Sequence, residues 1–164
     1  MPLIDQMIEE LKYEAVSMRK TLERVPEADL DWQPHPKSMT MRRLASHIAE
    51  NPAWTKGILE TTNFDYDSTR MTPWIGSSVA EIVAAFDKNI AVALEAMKGC
   101  PDEALMENWT FTIDGQHIFT LPRVAVLRNM IFSHAIHHRA QFGVYLRLRN
   151  VPLPEVYGPS ADER

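Results

Sequence analysis

Between Ile4 and Leu22 the apolar residues Ile4, Ile8, Leu11, Ala15, Met18 and Leu22 fall at alternating steps of four and three. No other feature of the chain restricts its fold as much. That spacing is the period of an α-helix with one apolar face, the pattern of helices packed side by side. It predicts a helix over residues 2–24. Pro2 near its start and Pro26 beyond its end stand where proline punctuates a helix. The period returns in Val79, Ile82, Val83, Phe86, Ile90, Leu94 and Met97, which predicts a helix over residues 78–99. Gly99 suits the left-handed residue that ends a helix, and Pro101 blocks continuation.

Two further helices complete the set. Ser38 or Thr40 supplies an N-cap for a helix running to residue 61. Pro52 lies inside it, removes a backbone donor, and should kink the helix around Asn51 or split it in two. The last helix is expected over residues 121–149. Before it, "NWTFTIDGQHIFTL" sets Asp114-Gly115 between two runs of strand formers, a strong hairpin signal. The stretches "VPEADLDWQPHPKSMT" and "TNFDYDSTRMTPWIGS" read as loops, and the proline-rich tail "VPLPEVYGPSADER" lies against the body or reaches a partner. The expected fold is all-α: a four-helix bundle with a small β-hairpin before the last helix, formed by residues 1–164 as a single domain.

The charge balance narrows the partners. A formal net charge of −5 argues against nucleic acid, because phosphate neutralisation needs clustered Lys and Arg. Charges begin at Asp5, so the opening does not read as a signal peptide, and no uncharged apolar run has the length of a membrane span. One cysteine, Cys100, rules out an intramolecular disulfide and fits a reducing cytoplasm. No motif surrounds Cys100, so it is expected to be a packed thiol.

Three of the six histidines, His134, His137 and His138, crowd "IFSHAIHHRAQF". On a helix each residue advances about 100°, so with His134 at zero His138 falls near about +40° and Gln141 near about −20°. Leu127 and Tyr145 fall near about +20° and Ile131 near about +60°, marking that stripe as inward. His137, near about −60°, is marginal. Arg139 and Arg147 take the opposite side, expected to face solvent. His134 and His138 are thus one turn apart on an inward face, where two imidazoles can share one ion. Alone, such a pair is equally a packed core histidine and a surface one. In the second helix His47 shares an inward stripe with Thr40, Leu44, Trp54 and Ile58. Three inward imidazoles would each need a partner, and one shared metal ion satisfies them together. His35 and His117 fall in loop and hairpin and are expected to be exposed.

"LDWQPHPKSMTMRRLASHIAE" followed far downstream by "FSHAIHHRAQFGVYLRLRNVPLPEVYGPSADE" resembles the DinB/YfiT-like superfamily of metal-binding four-helix bundles. The helix-two histidine, the HxxxHHRxQ signature and the "YGPSADE" tail carry the resemblance. It implies a metal triad of His47, His134 and His138. The signature departs at Ala140, where many relatives carry glycine, a position turned away from the triad. The resemblance further implies a metal-dependent thiol transferase or hydrolase, with a low-molecular-weight thiol as cosubstrate.

Three neutral imidazoles leave a divalent ion with open positions, the arrangement of a catalytic site. Zinc or nickel is the expected ion, although nitrogen ligation also suits copper and iron. Trp54, Gln141 and Tyr145 are the candidates to touch substrate; for Gln141 the alternative is a hydrogen bond to a ligand imidazole, for the other two core packing. Glu50, one turn from His47, is a candidate general base or orienting partner. His137 is a substitute ligand, a partner to one, or a packing residue. Two other readings stay open: a non-catalytic metal-binding stress-response protein, and a bundle acting by association. In the last, Phe132, Ile136 and Gly143, about 160° to 180° from His134, form an apolar strip suited to a homodimer.

Overall fold

In the computed structural model, which describes residues 1–163, the first apolar seam lies in helix α1 (Leu3–Glu23). Ile4, Leu11, Met18 and Leu22 are buried, with Ile8 and Ala15 partly so. Pro2 brings no side-chain cap. Instead the Asp102 carboxylate accepts from the Leu3 and Ile4 backbone N–H groups at 2.9 and 3.2 Å. A residue 99 positions downstream therefore fills the cap that the local sequence leaves empty.

Of the two caps expected for the next helix, Thr40 is used: its hydroxyl accepts from Arg43 N at 3.1 Å and opens α2 (Met41–Glu50). Pro52 splits the segment. A 3₁₀ turn (Asn51–Ala53) leads into α3 (Trp54–Glu60). The following stretch is not all loop, because Asn63–Tyr66 form strand β1, with Phe64 and Tyr66 partly covered and their neighbours exposed. Ser78 caps α4 (Val79–Met97) by accepting from Glu81 N, and Gly99 beyond its end has φ +70°. The short α5 (Asp102–Leu105) then precedes β2 (Asn108–Ile113) and β3 (Gln116–Pro122).

Asp114 and Gly115 have φ of 51° and 76°, as a two-residue hairpin turn between twisted strands requires. The hairpin is present where the sequence places it, but β1 adds a third strand. It runs parallel to β2 with Phe64 opposite Phe111, giving the order β1-β2-β3. Rings of Phe64, Phe111, Phe119 and Trp109 stack along this sheet, so the added strand extends an aromatic layer. The fold is mostly helical with a three-stranded sheet, rather than all-α with a free hairpin.

The last helical segment begins at Arg123, because β3 continues through Pro122. One turn, α6 (Arg123–Val126), is followed by a π-helical stretch (Leu127–Ser133) and then by α7 (His134–Leu148). The buried Arg123 guanidinium donates to the carbonyls of Ile58, Thr61 and Ala104, which closes the unsatisfied ends of α3 and α5. Of the long elements, α1 packs on α4 and α7, and α2 packs on the same two.

Because α7 lies between α1 and α2, it has two buried faces. The expectation that Arg139 reaches solvent is therefore corrected. Arg139 is 4% exposed and its Nη1 donates to Glu14 Oε2 of α1 at 2.5 Å. Its Nη2 donates to the Tyr157 hydroxyl at 2.6 Å, and that hydroxyl donates to Glu14 Oε1 at 2.8 Å. Phe132 is likewise 2% exposed and belongs to the core that includes Ile4, Met7 and Leu11 of α1. The outer side of this helix instead carries Ser133, His137, Ala140, Val144 and Leu148. Arg147 is exposed as expected, and it pairs with Asp162. The tail folds back on the body, with Arg24 bonding the Pro152 carbonyl and the Glu163 carboxylate.

The Glu14–Arg139 pair is desolvated on both sides, with side-chain exposures of 7% and 5%. Removing one partner of such a pair strands the other and costs about 3–5 kcal/mol. Glu14→Ala is expected to lower unfolding free energy in urea by that amount, well beyond the about 1 kcal/mol of an average substitution. A loss below that average would mean that Tyr157 and Ser17 suffice for Arg139.

Candidate metal centre

α2 and α7 meet face to face, and their inward histidines converge. His47 Nε2 and His134 Nε2 are 2.7 Å apart, and the nearest ring nitrogens of His47, His134 and His138 all lie within 4.8 Å of one another. Ring centroids are 4.9, 4.7 and 4.5 Å apart for the pairs 47–134, 47–138 and 134–138. Tetrahedral donors at 2.0–2.1 Å from zinc would stand roughly 3.3 Å apart, a separation that the observed range brackets. The donor set fits a small divalent ion. His138 is buried, while His47 and His134 are partly exposed.

Gln141, one turn beyond His138, supplies the partner that its ring needs. An amide oxygen can only accept, so at 3.0 Å Gln141 Oε1 receives the proton of His138 Nδ1. That bond fixes the tautomer and leaves Nε2 with a free lone pair. Burial is the main cause that holds His47 and His134 down to about 4, with the neighbouring imidazoles adding to it. For His138, burial lowers the affinity for a proton and the bond to Gln141 partly restores it. All three rings are therefore neutral donors at ordinary pH.

The other candidates separate by contact. Glu50 is not part of the ligand cluster: its Oε1 accepts from Trp74 N at 3.0 Å, and its Oε2 stands 3.8 Å from Arg43 Nη1. Tyr145 is buried in the core, edge-on to Trp32, and its hydroxyl donates to the Met39 carbonyl. Trp54 is half-buried edge-on to Phe64, 5.0 Å between centroids. His137 is exposed, its ring 4.8 Å from that of His138. His35 and His117 are exposed as expected, and each makes a local bond, to Lys37 N and Thr120 Oγ1. Burial raises the Cys100 thiol, which makes it less nucleophilic.

Two residues passed over in the sequence bear on the centre. Asn51 Nδ2 donates to the Met130 carbonyl at 2.6 Å, tying the break after α2 to the π-helical stretch that delivers His134. Arg43 lies one turn before His47 and its charge contributes to lowering both His47 and His138. Its phase on the helix was a readable signal. The role of Asn51 was not readable, because it depends on the π stretch.

The chain is thus a mostly helical protein in which three imidazoles from two helices could hold one metal ion. The model of the DinB superfamily matches residues 10–142, and the chain belongs to that family. A DinB-like protein from Bacillus cereus ATCC 10987 has a similar structure, with TM-score 0.68, 23% identity, and coverage of 91% of this chain and 94% of that one. A DinB-like protein from Bacillus subtilis superposes with TM-score 0.67 at 16% identity, covering 97% and 99%. The mycothiol-dependent maleylpyruvate isomerase superposes with TM-score 0.53 at 15% identity; 81% of this chain is covered, but only 59% of the isomerase. These likenesses establish a shared fold. No curated protein matches the sequence.

The depressed histidines predict a pH dependence. Unfolded imidazoles take up protons near about 6.5, whereas folded His47 and His134 resist until about 4. Between those values the unfolded chain binds more protons, so stability is full above the upper value and lost as pH falls through the lower. The metal-free protein should show a urea midpoint that declines from pH 7 to pH 4.5. In a His47→Gln, His134→Gln double variant the decline should be shallower, and an unchanged slope would remove the triad as its cause.

Proposed function

We propose that this chain is a divalent-metal-dependent enzyme that transfers a low-molecular-weight thiol to, or hydrolyses, a small electrophilic substrate. One observation carries the reading. Three neutral nitrogen donors converge, and among the described residues no fourth His, Cys, Asp or Glu joins them. An ion held by three protein ligands retains open positions, whereas structural sites are closed by four. Zinc or nickel bound there would supply Lewis acidity, lowering the proton affinity of a water or thiol that reaches it. The thiol branch is favoured because one structural neighbour is a mycothiol-dependent isomerase.

In this reading His47, His134 and His138 are the ligands and Gln141 is the residue that orients His138. The partial exposure of His47 and His134 provides the entry. Trp54 and Tyr145 are the candidates to touch substrate, and Tyr145 also holds α7 to the Met39 carbonyl. Glu50 anchors the loop at Trp74, so it acts on the surroundings of the centre and not as a free base. The four long helices act as a bundle that holds the ligands at a fixed spacing, in a single domain working in the cytoplasm. The lone cysteine supports that compartment, and among the described residues no helix is long and apolar enough to cross a membrane. Exposed Val144 and Leu148, beside partly exposed Ile136, support a homodimer through the outer side of α7. Sedimentation at micromolar concentration should then give twice the chain mass, and a monomer would remove the dimer.

Untagged protein from cells supplied with zinc and nickel is expected to carry about one ion per chain. His47→Ala, His134→Ala and His138→Ala should each abolish stoichiometric binding, and Gln141→Leu should weaken it about 10–100-fold in chelator competition. In the cobalt-substituted protein, added 2-mercaptoethanol should shift the visible bands. Wild type without stoichiometric metal would defeat the whole reading. Cobalt bands indifferent to both thiol and pH would defeat the enzyme and leave a purely structural ion.

A further inference from the structure

Four arginines of this protein are at least partly withdrawn from solvent on α2, α6 and α7, and three of them are fully engaged. Arg42 bonds Asp31 and the carbonyls of Gly76 and Ser77. Arg123 bonds three carbonyls and Glu107, and Arg139 bonds Glu14, Ser17 and Tyr157. Arg43 differs. Its Nη1 is buried and has no hydrogen-bond partner. Leaving such a donor unpaired forfeits its solvation, which a fold seldom tolerates without a use for it.

The position of that donor is informative. Arg43, His47 and Glu50 lie on one face of α2, and Arg43 Nη1 stands 3.8 Å from Glu50 Oε2, beyond hydrogen-bond distance. His47 lies between the two in sequence, one turn from Arg43 and three residues from Glu50 on the same helix. Glu50 does not close on it, because its other oxygen is held by Trp74 N at 3.0 Å. Arg43 lies one turn before His47 on α2, the helix that packs against α7 and brings the triad together. A planar fork of donors with unspent capacity, one turn from a ring of the triad, is suited to a carboxylate. A chain of net charge −5 would otherwise repel such an anion.

We propose that Arg43 is an anion-recognition residue of the metal centre, and that the small molecule accepted there carries a carboxylate. The carboxylate takes the free Arg43 donor while the molecule's reactive end reaches the ion. This rests on the reading of the centre as an open metal site that admits a thiol. It also specifies that reading: of two thiols of similar size, the acidic one is preferred.

The test uses full-length cobalt-substituted protein, with the visible bands titrated by mercaptoacetate, 2-mercaptoethanol and acetate. Wild type should bind mercaptoacetate at least about tenfold more tightly than the Arg43→Met variant, the strength of one good charge-assisted contact. The two proteins should differ little toward 2-mercaptoethanol, and Arg43→Lys should recover part of the loss. Cobalt stoichiometry and far-ultraviolet circular dichroism show that the variants are folded and loaded. Equal mercaptoacetate affinity in wild type and Arg43→Met overturns the proposal. If neither thiol perturbs the bands, the thiol reading itself fails and acetate decides the arginine. Acetate binding that Arg43→Met loses supports the anion site, whereas absent or equal acetate binding overturns it.

Discussion

The buried pair of Arg139 and Glu14 sets the orientation on which the rest of this structure depends. Arg139 follows His138 directly, and successive helical residues diverge by about 100°. Holding the guanidinium against α1 therefore aims the preceding imidazole toward α2. Tyr157 completes the arrangement from the tail, with its hydroxyl between Arg139 and Glu14 and its ring 4.9 Å beneath the guanidinium. Charge satisfaction on one side of α7 thus fixes geometry on the other. A hydrophobic residue in place of Arg139 could fill the same volume, but it would not select a rotation so sharply, because apolar contacts are not directional.

On the opposite face the balance is reversed. Three imidazoles are partly desolvated; His138 and His134 disfavour protonation of His47, and His138 and His137 disfavour that of His134. Without an ion the cluster has one ring-to-ring hydrogen bond and one bond to Gln141, fewer than its ring nitrogens can make. A cation shared among the lone pairs repays that deficit and gains from neutrality that burial has already enforced. The features that make the cluster costly in the apo protein are the features that make it a good ligand set.

Much of this was legible because helical phase is a local property. His47, His134 and His138 were placed inward from their neighbours alone, and the structure brings them together. The Pro52 break and the Asp114-Gly115 turn were also legible, since proline and positive φ act within a few residues. What escaped depended on distant partners. Strand β1 is only Asn63–Tyr66 amid polar residues, and its signal is the edge of β2, some 47 residues on. Arg139 was assigned to solvent because a wheel has one reference direction, whereas α7 is covered from two sides. Glu50 was a candidate base by spacing, and the bond that Trp74 N gives one of its oxygens depends on a loop some 24 residues on.

The two irregularities of the helices bear on how the centre can open. The 3₁₀ turn Asn51–Ala53 interrupts the helix that carries His47, and the π stretch Leu127–Ser133 interrupts the one that carries His134. They face each other, joined by the Asn51 amide and the Met130 carbonyl. A π turn leaves a carbonyl displaced from the regular ladder, and such turns recur beside functional sites. Here a carbonyl of the π stretch receives a donor from the facing break. Asn51 Oδ1 and Thr55 Oγ1, one turn apart, stay buried without a partner at the same junction. Regular helices would have packed this region with apolar side chains and closed it. The paired irregularities instead keep backbone and amide groups within a turn of His47 and His134, a polarity that would suit an ion with exchangeable positions better than one sealed into a core.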